Sequence, residues 1–229
     1  DLDRVGGLID LHGGSGAAGL RLAARHRGLR VHVRAADPAQ AEAALRAAKE
    51  HGLDARVTVA PGDAVPVEAT YELALGIEGS HLVADKPGYL AGIAAVLPEG
   101  GRLLLADFLA GDAELADDRV GVVVPTPQRW ADLLADAGFV LDAAVDASAP
   151  VGHFLADFDV DQNTAALDPA ARGRWRFHTD LAVPLERGRA AYLLLRLRKD
   201  TATEPAARRA GNRARIAATT PYAEAVTRR

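Results

Sequence analysis

The residues able to do chemistry in this chain stand at the ends of apolar runs. Residues 5–11 form a short apolar run that leads into Asp10-Leu11-His12-Gly13-Gly14-Ser15-Gly16-Ala17-Ala18-Gly19. A glycine-rich turn between a strand and a helix brings backbone N–H groups and a helix N-terminus close to a ligand. Within it Gly14, Gly16 and Gly19 fit G-x-G-x-x-G, a nucleotide-binding fingerprint that ordinary tight turns also produce. The second run ends at Asp37-Pro38, where a carboxylate can accept both hydroxyls of a ribose. The third ends at Gly62-Asp63-Ala64, where Asp63 can accept from an adenine amino group. Past the fourth and fifth runs stand His81 and Asp107. Adjacent strands would bring these two together. A carboxylate orients an imidazole and makes it more basic, which suits removal of a proton from a substrate carbon or hydroxyl.

Each feature also has a plainer reading. His81 can cap the helix that begins near Lys86 or bond to a backbone carbonyl. Asp107 can satisfy loop amides, and Asp10 orders the glycine loop rather than reacting. His153 and His178 lie in an aromatic-rich segment and read as structural histidines, with a place facing the substrate as the alternative. Trp130 reads as core, and Glu72 as structural. The acids Asp112, Glu114, Asp117 and Asp118 read as a solvated loop; no histidine accompanies them, so no metal set is assigned there.

The elements that must position these residues alternate in type. Residues 5–11, 29–36, 56–60, 71–76 and 102–107 read as strands. Residues 17–27, 39–51 and 88–97 read as helices, closed by Gly52 and the Pro98-Glu99-Gly100-Gly101 turn. This alternation predicts an α/β fold: a Rossmann-like, doubly wound sheet, mostly parallel, with helices on both faces. Ligands in such sheets bind at the carboxyl ends of the strands, where the polar residues above fall. Residues 108–124 read as a polar loop over the sheet edge. A helix is expected at 126–138 and a strand at 139–145. Residues 153–188, with Phe154, Phe158, Trp175 and Phe177, read as a helical cap over one mouth of the sheet. Residues 190–198 read as a last, antiparallel strand. One domain over 1–199 is expected, followed by a basic extension over 200–229.

Composition narrows the classes. The chain has 229 residues with 49% hydrophobic and 25% charged side chains, enough for one sizeable core. A net charge of −4 gives no basic surface for nucleic acid, and no apolar run is long enough for a membrane span. No secretory leader is read in the charged opening residues. The absence of cysteine excludes disulfides and thiol catalysis, and the cytoplasm is the simplest compartment. Methionine is also absent, so Asp1 is not read as the encoded start.

Taken in order, these motifs make residues 5–147 resemble class I S-adenosylmethionine-dependent methyltransferases. Asp10, Gly14 and Gly16 match that family's acid and glycine loop, with His12 where its first loop glycine stands and Gly13 one position later. Asp37, followed by Pro38, matches the ribose-binding acid. Asp63 and Ala64 match the adenine-binding step, and Leu97-Pro98-Glu99-Gly100-Gly101 matches the turn into strand five. The resemblance implies that Asp10, His12, Gly13, Gly14, Gly16, Asp37, Pro38, Asp63 and Ala64 surround S-adenosyl-L-methionine. The placement of His81 and Asp107 is similar to that in polyketide-type C-methyltransferases, although the acid there is usually Glu. It implies His81 as base and Asp107 as its orienter, with a carbon or oxygen of a small natural product as acceptor, carbon slightly ahead. That substrate would be free or carried on an acyl carrier protein. Two alternatives stay open: an NAD(P)-dependent oxidoreductase, favoured by Asp37 and the fingerprint, and a non-methylating structural module, favoured by His12.

Overall fold

The computed structural model describes residues 2–62 and 70–227. Its first half follows the predicted rhythm: β1 (Gly7–Asp10), α1 (Ala17–Arg25), β2 (Arg30–Ala35), α2 (Pro38–Glu50), β3 (Val57–Pro61), β4 (Leu73–Ile77), α3 (Lys86–Val96) and β5 (Arg102–Ala110). After these come β6 (Leu115–Asp117), β7 (Val122–Val124), α4 (Pro127–Asp136), β8 (Phe139–Asp146), α5 (Ser148–Asp157), α6 (Val160–Asn163), α7 (Pro169–Asp180), α8 (Ala182–Glu186), β9 (Ala190–Lys199), α9 (Pro205–Ala217), β10 (Thr220–Pro221) and α10 (Tyr222–Thr227). The main sheet runs β10-β8-β9-β5-β4-β1-β2-β3. β1 to β5 pair in parallel, while β9 lies between β5 and β8, antiparallel to both.

Both faces of the sheet are covered, which is why its central strands are continuous apolar runs rather than alternating ones. Leu8 and Ile9 are both fully buried, on opposite faces. Leu8 joins Val31 and Val33 under Ala23 of α1 and Ala48 of α2. Ile9 joins Ala74 and Leu103 under Leu90 and Ile93 of α3 and Trp130 of α4. Helix starts follow local chemistry. Asp37, Thr126 and Asp168 cap α2, α4 and α7, each followed by proline at the first helical position. Asp85 caps α3 by accepting from the Gly88 amide, so this helix begins before the expected Gly88.

The stretch 108–124 departs from the expected polar loop. β5 continues through Phe108, Leu109 and Ala110, all buried, because these residues pair with Tyr192, Ala191 and Ala190 of β9. Of the acids beyond them, Asp112 and Glu114 precede a β6–β7 hairpin and Asp117 and Asp118 lie on it; its Val122 and Val124 pack under Phe108, Leu155, Leu181 and Leu185. This third cluster binds the upper ends of β5 and β9 to α5 and α8. The helical segment begins at Ser148, ahead of the expected residue 153.

Two lysines fix the ends of α3. Lys86 Nζ donates to the carbonyls of Val83 and Val123 at 2.5 and 2.8 Å, tying the helix start to β7. Lys199 Nζ donates to the carbonyls of Ala94 and Leu97 at 2.7 and 2.8 Å, satisfying the helix C-terminus. Beyond β9, α9 packs on α4 and β8. Its buried Asn212 accepts from the Leu141 amide at 2.8 Å and donates to the Phe139 carbonyl at 3.0 Å, next to the register shift of β8 between Leu141 and Ala143.

Candidate active site

The glycine loop divides its labour among its glycines. Gly14 and Gly16 have φ of 53° and 90°, a left-handed conformation that favours glycine. Gly13 and Gly19 are needed for space: a Cβ on Gly13 would lie 2.5 Å from Val33 Cγ1, and one on Gly19 2.9 Å from Val31 Cγ1. Gly16 is the N-cap of α1 and has no side chain to offer. Asp10 substitutes for it across the turn, accepting from the Gly19 amide at 3.0 Å. Burial pushes the Asp10 carboxyl up to about 6, against the lowering effect of the Gly19 and His12 amides.

His12 is accommodated without backbone strain, since Glu78 is the only non-glycine residue at positive φ among the described residues. Its Nε2 lies 2.8 Å from the Tyr89 hydroxyl, and its ring fills space left by Gly79, where a Cβ would stand 2.0 Å from His12 Cγ. A cleft of about 440 Å³ opens beside it, lined by Leu11, Leu82, Val83, Asp85, Tyr89 and Arg34 among others. Asp37 sits past the end of β2 and is exposed. Its Oδ1 caps α2 by accepting from the Gln40 amide at 2.9 Å, which leaves Oδ2 for another donor. Pro38 is the first residue of α2. Asp63 and Ala64 lie outside the described residues.

His81 and Asp107 do meet. β4 and β5 are neighbours, and the short turn Ser80–Leu82 after β4 turns His81 Nδ1 to within 2.6 Å of Asp107 Oδ1. Asp107 Oδ2 accepts from the Ser80 amide at 2.8 Å and the Ser80 hydroxyl at 2.5 Å, and Oδ1 accepts from the Phe108 amide at 2.8 Å. Burial works to raise this carboxyl, but the adjacent imidazole and these donors hold it at about 2. The carboxylate is therefore ionised at neutral pH and fixes a proton on His81 Nδ1.

His81 is fully buried, so its other nitrogen does not reach solvent. His81 Nε2 instead lies 2.9 Å from Nε2 of His178 on α7. His178 stacks on Phe108 at a centroid distance of 5.1 Å and lines a cavity of about 350 Å³. The other walls are apolar and aromatic, including Val151, Phe154, Trp175 and Leu194. Tyr192 and Glu78 add polar groups: the Tyr192 hydroxyl donates to Glu78 Oε1 at 2.9 Å. Glu78 is held at φ 51°, a conformation costly for a residue with a side chain. Burial and the Glu78 carboxylate push the Tyr192 phenol up, so it remains protonated. Ser80, Glu78 and Tyr192 were not among the sequence candidates. No motif marks them; only the ends of β4 and β9 do. His153 is exposed and lines a separate depression with Leu185 and Glu186. Trp130 is core, and Glu72 accepts from the Gly7 amide at 3.3 Å, both as expected.

No family model matches the chain. It is 33% identical over 227 residues to the polyketide synthase ThaQ of Burkholderia thailandensis, covering 98% of this chain and 11% of the synthase. The O-methyltransferase of a trans-AT PKS multienzyme of Brevibacillus brevis, solved with S-adenosyl-L-homocysteine, shares the fold with a TM-score of 0.89 and 28% identity, over 100% of this chain and 78% of that one. The StiE O-MT structure gives a TM-score of 0.81 at 24% identity, over 98% of this chain and 78% of that one. The α/β class and the similarity to class I S-adenosylmethionine-dependent methyltransferases of polyketide type stand with these likenesses. An oxidoreductase is not favoured.

Proposed function

We propose that this chain, a class I S-adenosylmethionine-dependent methyltransferase by fold and likeness, methylates a hydroxyl of a small polyketide-type molecule in the cytoplasm. The observation that carries the reading is a buried, ionised carboxylate and histidine pair that opens, through a second histidine, onto an apolar cavity. The chain spans 11% of the synthase it matches, so the carrier-bound state of its substrate is part of the proposal.

The residues fit the cofactor. The left-handed Gly14 and Gly16 bare the backbone at the start of α1, Asp37 Oδ2 stands open for a ribose hydroxyl, and the His12 ring is drawn aside against Tyr89. Asp10, Gly13 and Pro38 shape this region, and Asp63 and Ala64 would complete it at the adenine. When bound, S-adenosylmethionine supplies an electrophilic methyl, an O–C bond forming as the sulfonium S–C bond breaks to leave a thioether. His81, oriented by Asp107, takes up the proton the hydroxyl loses. The aromatic walls of the cavity exclude water and hold the acceptor's carbon chain. An oxygen acceptor is favoured over carbon because the 28% identical structure is of an O-methyltransferase, while the imidazole presented by the cavity would serve either acceptor.

Calorimetry with S-adenosylhomocysteine, with NAD as control, tests the cofactor half. Asp37→Ala and Asp37→Ser both weaken binding, whereas only Asp37→Ala costs α2 its cap, about 1 kcal/mol of stability. Binding of NAD in preference to S-adenosylhomocysteine would defeat the reading.

A further inference from the structure

We infer that His178 is the group that meets the acceptor hydroxyl, and that the proton travels through two imidazoles in series to the side of Asp107. The inference rests on the methyl-transfer reading and adds a catalytic residue to it. His81 is 0% exposed and has both ring nitrogens engaged, one by Asp107 and one by His178. It cannot itself touch a molecule in the cavity. His178 is 9% exposed and lines that cavity, and no described residue bonds its Nδ1.

Hydrogen-bond accounting limits where the protons stand. Asp107 is ionised and accepts, so His81 Nδ1 carries a hydrogen; the relay assigns the resting His81 a neutral ring, with a lone pair on Nε2. The 2.9 Å contact between the two Nε2 atoms then requires the hydrogen on His178 Nε2. His178 Nδ1 is left with a lone pair, on a residue that lines the cavity. A hydroxyl there donates to it. As the O–H bond breaks, its proton joins His178 Nδ1, and the Nε2 proton of His178 passes to His81 Nε2. His178 ends neutral in the opposite tautomer. His81 ends as an imidazolium against the Asp107 carboxylate, where the positive charge is compensated. The reverse passage returns the proton to the cavity and solvent.

The surroundings of His178 suit a conduit rather than a store of charge. Burial is the largest cause that holds its pKa at about 4, so its ring is neutral at neutral pH. Asp107 works the other way, and Arg174 on the same helix adds to the lowering. Glu78 and Tyr192 face it across the cavity and are bonded to each other.

The test uses the full chain labelled with 15N-histidine. The expected spectrum at neutral pH shows His178 protonated at Nε2 only, His81 at Nδ1 only, and a scalar coupling between the two Nε2 nuclei across the hydrogen bond. His178 in the Nδ1–H form, or as an imidazolium, would overturn the inference. Turnover is then read with S-adenosylmethionine and a 3-hydroxybutanoyl N-acetylcysteamine thioester as probe. His178→Ala lowers kcat by about 100- to 10,000-fold, with S-adenosylhomocysteine binding retained. Added imidazole restores part of the rate in His178→Ala but not in His81→Ala, whose site is sealed from the cavity. His178→Gln, which keeps bulk but not basicity, stays slow. Wild-type rates in His178→Ala would overturn the inference. A wild-type chain that binds no S-adenosylhomocysteine counts against methyl transfer instead, and the tautomer pattern then decides the relay by itself.

Discussion

At the scale of single residues, His12 and Gly79 form a complementary pair. The imidazole takes space that is left vacant at residue 79. Gly79→Ala should therefore destabilise the chain by about 1–3 kcal/mol through overpacking. In a His12→Gly background the same change should cost little. A double-mutant cycle by urea denaturation measures the coupling, and additive effects would refute the pairing. The site was legible where a backbone constraint leaves a residue signature. The glycine loop, Asp37 as a strand-end acid, and the meeting of His81 with Asp107 all follow from strand order. The contact of His178 with His81 leaves no such signature, because the two lie far apart in the sequence and no spacing links α7 to the end of β4. Ser80 was silent because a hydroxyl bonding a carboxylate has no pattern of its own.

At the scale of elements, the misread stretch is the one where a polar residue hid a continuing strand. Asp107 suggested a strand end, yet its side chain is paired locally and the backbone goes on to Ala110 against β9. The parallel core was legible because apolar runs, glycine stops and proline starts agree with one another there. The β6–β7 hairpin has short strands and a polar turn, too little for periodicity to register. Lys86 ties it to the start of α3, beside the packing of Val122 and Val124. Lys86→Met should leave the Val83 and Val123 carbonyls unpaired and cost about 1–3 kcal/mol, although removal of a buried charge offsets part of this. Amide exchange should quicken first in β7. Unchanged exchange in β7 would show that the hairpin is held by its valines alone.

At the scale of the molecule, two buried groups set opposing pH dependences. The His178 pKa is depressed from 6.5 to about 4, so the unfolded chain binds more protons in that range and stability falls as pH drops through it, by about 3 kcal/mol. The Asp10 pKa is raised from 3.8 to about 6, so the folded chain binds more protons between those values and stability rises as pH drops, also by about 3 kcal/mol. The wild-type unfolding free energy should be nearly level between about pH 6 and 4. It should fall below pH 3.8, as Asp107 is protonated toward about 2. His178→Gln should unmask the Asp10 slope, and Asp10→Asn the His178 slope, in urea titrations across pH. Parallel profiles for the two variants would contradict this balance.

The securing of α3 by lysine reaches beyond stability. The chain has three lysines, and Lys86 and Lys199 are engaged with carbonyls at the two ends of that helix. The third, Lys49, is exposed in the last turn of α2, which runs back from the carboxyl edge of the sheet toward its amino edge. Apart from the chain's amino terminus, amine-directed coupling therefore has a single open address, on the edge away from the cavity. A surface or fluorophore attached at Lys49 would hold the molecule by its back, with the mouth that receives the acceptor turned outward.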